Sequence, residues 1–202
     1  MFASLIAGLG RLSTGAVWCG GAMTLVGALI VSVDVLSRKF LGFSVGGADE
    51  ISGYLLAIGT AWAFSFALLN RVNVRVDALY QTLPTHLRYV LDVVALISLT
   101  VLALLLTVYA FDVFSGSWER GSLSNSGVQT PLWIPQGLWL LGLMLFSITA
   151  VVMTLRALAA LWQRDWSWIR THIGARSTEE EAAEEVAFGR ASHEKLSRGG
   201  VS

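Results

Sequence analysis

The chain has 202 residues, 54% of them hydrophobic and only 14% charged, with 14 basic side chains set against 14 acidic ones. This shortage of charge, with a mean hydropathy of +0.64, excludes an ordinary soluble domain, and the balanced charge gives no reason to expect a nucleic acid partner. The single Cys19 excludes an intrachain disulfide and a thiol-rich metal site, and the three histidines lie outside the apolar runs, so no haem is ligated at membrane depth and no cofactor is expected.

Residues 1–11 carry no basic side chain before Arg11 and so lack the charged start of a secretory signal; they are expected to remain as a short cytoplasmic segment. The first apolar span covers residues 12–36. It carries a small residue at every fourth position, Ala16, Gly20, Thr24, Ala28 and Ser32, which lets another helix backbone approach closely in lipid. Near its end Asp34 and Arg38 are four residues apart on one helix face, as an interfacial ion pair or as a functional carboxylate in the membrane.

A glycine-rich connection leads to Asp49 and Glu50, which favour the positive end of the next helix dipole. Glu50 has two candidate partners, Arg38 or a residue of another subunit. The second span, residues 50–70, has its own small-residue stripe in Gly53, Ala57, Ala61 and Ser65. Trp62, Phe64 and Phe66 lie off that stripe, facing lipid or a second partner.

Residues 71–80 alternate between apolar valines and the polar Arg71, Asn73, Arg75 and Asp77, which fits an interfacial extension of the helix as well as a short strand. The third span, 89–111, is rich in leucine and free of glycine in its middle, and is expected to face lipid more than the first two. A loop at 112–136 carries Glu119, Arg120, several serines and two prolines before the fourth span at 137–161. Trp133, Trp139, Trp162, Trp166 and Trp168 suit interfacial belts. From 172 to 202 the chain turns charged, with five glutamates between Glu179 and Glu185, and reads as a flexible cytoplasmic tail.

The expected fold is therefore an all-α membrane protein, with four transmembrane helices over 12–171 and a polar carboxyl-terminal tail. Arg11, Arg71, Arg75, Arg88, Arg156, Arg164, Arg170 and Arg176 flank one side of the bilayer, against Arg38, Lys39 and Arg120 on the other, which places both termini in the cytoplasm. No metalloprotease, phosphate-loop or nucleophile-elbow motif occurs, and the boundary carboxylates Asp34, Glu50, Asp77 and Asp92 alternate between sides, so no catalytic set converges.

The order of DVLSRKF, ADEISGYLLAIGTAWAFSFALL, NRVNVRVDAL, a Leu-Pro at Leu83 and Pro84, and PLWIPQGLW resembles the small, DctQ-like membrane subunit of tripartite ATP-independent periplasmic (TRAP) transporters, over roughly Arg11 to Leu161. In that resemblance Arg38 matches the arginine after the first span, Glu50 the glutamate heading the second, and Val76 and Asp77 the pair that follows it. Where many members carry histidine, this chain has Asn73, which keeps hydrogen bonding but does not titrate near neutral pH.

The resemblance implies a non-catalytic scaffold in the bacterial inner membrane. Its partners are a large multi-span transport subunit, a periplasmic substrate-binding protein and the lipid bilayer, and it serves ion-gradient-driven uptake of an organic acid. The small-residue stripes are then the packing or partner faces, with Arg38 and Glu50 anchoring the outer interface and Asn73, Arg75 and Asp77 the inner one. Two other readings stay open: a self-associating four-helix membrane protein, and a membrane enzyme with its site in the 112–136 loop around Glu119 and Arg120.

Overall fold

The computed structural model describes residues 2–44, 46–71, 84–173 and 186. Its helices are α1 (Phe2–Phe40), α2 (Ala48–Leu69), α3 (Thr85–Arg120), α4 (Trp133–Trp162) and the short α5 (Trp166–His172). The first four are long and apolar enough to cross a membrane. Prolines appear only where helices begin: Pro84 caps α3, and Pro131 and Pro135 bracket the start of α4, positions that need no intrahelical donor.

The helices outlast the spans expected from hydropathy. With 39 residues α1 is about 58 Å long at 1.5 Å per residue, nearly twice the roughly 30 Å of hydrocarbon it crosses. The connection expected at 112–136 is shorter, because α3 continues to Arg120 and stops only at Gly121. That glycine adopts the left-handed conformation (φ 59°), and its N–H bonds to the carbonyls of Ser117 and Trp118. The extra turns hold because Phe114 packs against Gly137 and Trp118 meets Trp133 edge-on, with ring centroids 4.7 Å apart.

The four long helices pack chiefly in the row order α1–α2–α4–α3, and the start of α1 also touches α4, with Ile6 against the core that includes Met153. Neighbours α1 and α2 run antiparallel, α2 and α4 parallel, and α4 and α3 antiparallel. Buried positions recur every seven residues: Ser13, Gly20, Gly27 and Asp34 on α1; Leu96, Ala103, Ala110 and Ser117 on α3; Leu143, Ala150 and Ala157 on α4. A seven-residue period keeps one narrow seam facing a neighbour along the whole helix, as in left-handed packing.

The larger apolar core lies between α3 and α4, with Val93, Leu96, Ala103, Phe146, Ala150 and Met153, and Leu68 of α2 completes it. The expectation that the third span faces lipid more than the first two is corrected. In its most apolar window α3 is as covered as α2 (28% of residues buried each), and α1 is the least covered at 11%. Helix α1 packs mainly on α2 and only lightly on α4.

Candidate functional site

Two glycines set the contact between α1 and α2. A Cβ on Gly20 would fall 2.7 Å from the Gly59 carbonyl oxygen, and one on Gly59 would fall 2.6 Å from the Gly20 carbonyl oxygen and 2.7 Å from the Thr24 hydroxyl. The backbones touch, which only glycine permits. Thr24 turns its hydroxyl inward to its own Gly20 carbonyl (3.0 Å), so no polar group is left over at the crossing. Farther along, Gly27 lies against Ser52 and Leu55, and Ala16 is buried at the other end.

On its opposite flank α2 meets α4. Ala61 is buried against Gly142, where a Cβ would come 2.9 Å from the Ala61 backbone, and Ser65 is fully buried one turn below. The Trp62 indole N–H donates to the Leu138 carbonyl at 2.8 Å, and Phe64 and Phe146 pack with centroids 5.4 Å apart. These two aromatics find their partners inside the chain.

The small-residue stripes therefore divide. Ala16, Gly20, Thr24, Ala61 and Ser65 face neighbouring helices of this chain, whereas Ala28, Gly53 and Ala57 are exposed. A Cβ on Gly53 would meet nothing within 4 Å. Ala28 and Gly53 line an open groove of about 470 Å³ between the later part of α1 and the start of α2, together with Thr24 and Asp49.

At the end of the row expected to face outward, Asp34 is buried and takes the Arg38 guanidinium at 2.6 Å and the Ser44 hydroxyl at 2.8 Å. Ser44 in turn accepts the Gly46 N–H, so the carboxylate ties the turn after α1 to its helix. Within the chain Glu50 does not take Arg38, which pairs with Asp34. The Glu50 carboxylate accepts the Tyr54 hydroxyl at 2.8 Å, and the hydroxyls of Ser126, Ser124 and Thr130 surround it.

Val128 of the same loop rests on Gly47 at the head of α2. No local pattern predicted this closure, because the loop residues lie more than 70 positions from Glu50. The serines of the suggested enzyme site thus group around Glu50, whereas Glu119 is exposed and Arg120 folds back over Gly116. Among the described residues no group of three His, Cys, Asp or Glu is placed to hold a metal.

At the other end Asp165 caps α5, accepting the Ser167 hydroxyl at 2.8 Å and the Trp168 N–H at 3.2 Å, and it pairs with Arg156 at 3.4 Å. The Ser167 hydroxyl first, then the Trp168 N–H and the Arg156 charge, hold its carboxyl below the usual aspartate range. Arg156 lies over the Trp168 ring, which stacks on His172, and Trp166 stacks on Tyr89 of α3. Asn73, Arg75 and Asp77, with most of the 172–202 tail, lie outside the described residues.

Residues 27–163 match the family model described as the DctQ component of tripartite ATP-independent periplasmic transporters. The chain belongs to this family. No curated protein and no solved structure matches the chain.

As a DctQ component the protein is a multi-pass membrane part of a transporter. The matched region holds Arg38, Glu50 and its loop, Gly59, Ala61 and Gly142, and so covers both flanks of α2. Ala16, Gly20 and Thr24 precede it. Half of the Gly20–Gly59 contact is thus supplied by residues ahead of the matched region.

Proposed function

We propose that the chain is the non-catalytic small subunit of a TRAP-type secondary transporter in the bacterial inner membrane, with both termini in the cytoplasm. It scaffolds a large multi-span subunit that couples uptake of an organic acid to the flow of an ion down its gradient, the acid being delivered by a periplasmic binding protein. The observation that carries this reading is the open row of helices. A row leaves two broad apolar faces, and on one of them Ala28, Gly53 and Ala57 remain exposed beside a groove, where another helix can approach closely. Asn73, Arg75 and Asp77 serve in this reading as inner interfacial anchors, and Arg38 with Glu50 as outer ones.

Substituting both Gly53 and Ala57 by leucine tests the exposed face without touching the internal seams, unlike Ala61, which is buried against Gly142. With the tagged chain expressed from its native operon and purified in mild detergent, the large subunit is expected to co-purify about tenfold less, a loss of ~1.4 kcal/mol. Undiminished recovery of the large subunit from the doubly substituted chain would remove this face from the interface.

A further inference from the structure

The end of the row that carries the start of α1 contains an open pocket of about 510 Å³ between α1, the end of α2, α4 and α5. Its walls include Phe66 and Met153, and its polar lining includes Arg11, Thr14, Asn70 and His172. Arg11 is exposed and has no ion pair or hydrogen bond among the described residues, and no carboxylate among them lines the pocket. The Nδ1 of His172 lies 3.2 Å from the Trp168 carbonyl, which can only accept, so the N–H of a neutral ring is used there and its Nε2 offers no donor to the pocket. His172 also lines an adjoining hollow of about 240 Å³, shared with Arg71.

An unpaired guanidinium beside an amide, above apolar walls at the edge of a bilayer, matches a ligand with an anionic head and hydrocarbon below it. We propose that this pocket holds the phosphate headgroup of an anionic phospholipid, with Phe66 and Met153 against the first methylenes of its chains. Basic pockets between transmembrane helices recognise such headgroups by charge, and Arg offers the forked donors that phosphate accepts. A protein segment seated here would instead have to bring a carboxylate to Arg11 or bury its charge unpaired. Only the choice of leaflet rests on the orientation proposed above.

The test uses the full chain in mild detergent, titrated in native mass spectrometry with dioleoyl phosphatidylglycerol and, separately, dioleoyl phosphatidylcholine. The anionic lipid is expected to bind more tightly, and Arg11→Gln to lower its affinity about fivefold, the factor one basic side chain contributes near an anionic surface, and to lower that of net-neutral phosphatidylcholine less. Arg11→Lys keeps the charge and is expected to keep the preference, and Arg164→Gln, at the exposed turn after α4, to leave it intact. Equal binding of the two lipids overturns the proposal, as does an Arg11→Lys chain without preference or an Arg164→Gln loss equal to that of Arg11→Gln. If a co-purifying large subunit excludes phosphatidylglycerol in proportion to its amount, the pocket is a protein contact and the lipid assignment is wrong.

Discussion

Along α1 and α2 two backbones meet directly at Gly20 and Gly59, whereas along α3 and α4 the helices are joined by side-chain hydroxyls. Thr100 Oγ1 lies 2.7 Å from Thr154 Oγ1, and Thr107 Oγ1 lies 2.8 Å from Ser147 Oγ, with Ala103 buried between the two bridges. Lipid provides no hydrophobic drive to bring helices together, so each pair relies on close packing or on hydrogen bonds. The glycine seam depends on the absence of side chains, and any addition strikes backbone. In the hydroxyl seam Thr100 and Thr107 also bond to their own carbonyls four residues back, so losing a bridge leaves little unsatisfied. The first seam is brittle and the second tolerant.

The largest effect is expected at the brittle seam. Gly59→Leu forces a side chain into the Gly20 backbone and should destabilise the α1–α2 pair by about 1–3 kcal/mol, the usual cost of overpacking, or separate it altogether. Gly53→Ala, on the same helix with nothing within 4 Å of the new methyl, should leave the isolated chain unchanged. Unfolding in mixed micelles, followed by tryptophan fluorescence, reads both. Comparable midpoints for the two variants would mean that the Gly20–Gly59 approach does not hold the pair.

How much of this was legible depended on the kind of seam. The glycine seam shows in the sequence because small residues such as Ala16, Gly20 and Thr24 are conspicuous in an apolar run. A strict every-fourth-residue row, however, precesses by about 40° per step on a 3.6-residue helix, so its far end rotates off the contact. Ala28 is accordingly exposed while Gly27 is buried, and the row through Gly53 misses the buried Gly59. The α3–α4 seam was hidden because Thr100 and Thr107 sit among leucines and count as mildly polar interruptions until their partners on α4 are known. The existence of four spans is readable from hydropathy, whereas the added turns of α1 and α3 are not. The order of the row and the closure of Ser124 and Ser126 over Glu50 depend on contacts remote in sequence.

The tolerant seam should respond less. Thr100→Val and Thr107→Val each remove one interhelical bridge and keep the volume, so a loss of about 0.6 kcal/mol is expected for each, with ~1.7 kcal/mol as the upper end for such bonds in membranes. A double-mutant cycle of Thr100 with Thr154 isolates the bridge itself. If either valine costs as much as Gly59→Leu, the contrast between the seams fails.

The smallest effect separates the two halves by pH. The α3–α4 half carries a latch in α5, where Tyr89 of α3 stacks on Trp166 and Arg156 of α4 pairs with Asp165. An ordinary aspartate carboxyl titrates near 3.8, and that of Asp165 is held lower by Ser167, Trp168 and Arg156. A carboxyl depressed in the folded state contributes stability that is fully present above its unfolded pKa and is lost as pH falls through the folded one. The cap of α5 should therefore be intact at every pH above about 4 and weaken only in more acidic solution, reported by Trp166 and Trp168 fluorescence. Ser167→Ala removes the largest contribution and should move that transition upward, toward the ordinary aspartate range, while the response to Gly59→Leu stays the same at all pH values. A Ser167→Ala transition at the wild-type pH would show that Asp165 is not held by this hydroxyl, and that α5 stays on the α3–α4 pair through its aromatic stacking alone.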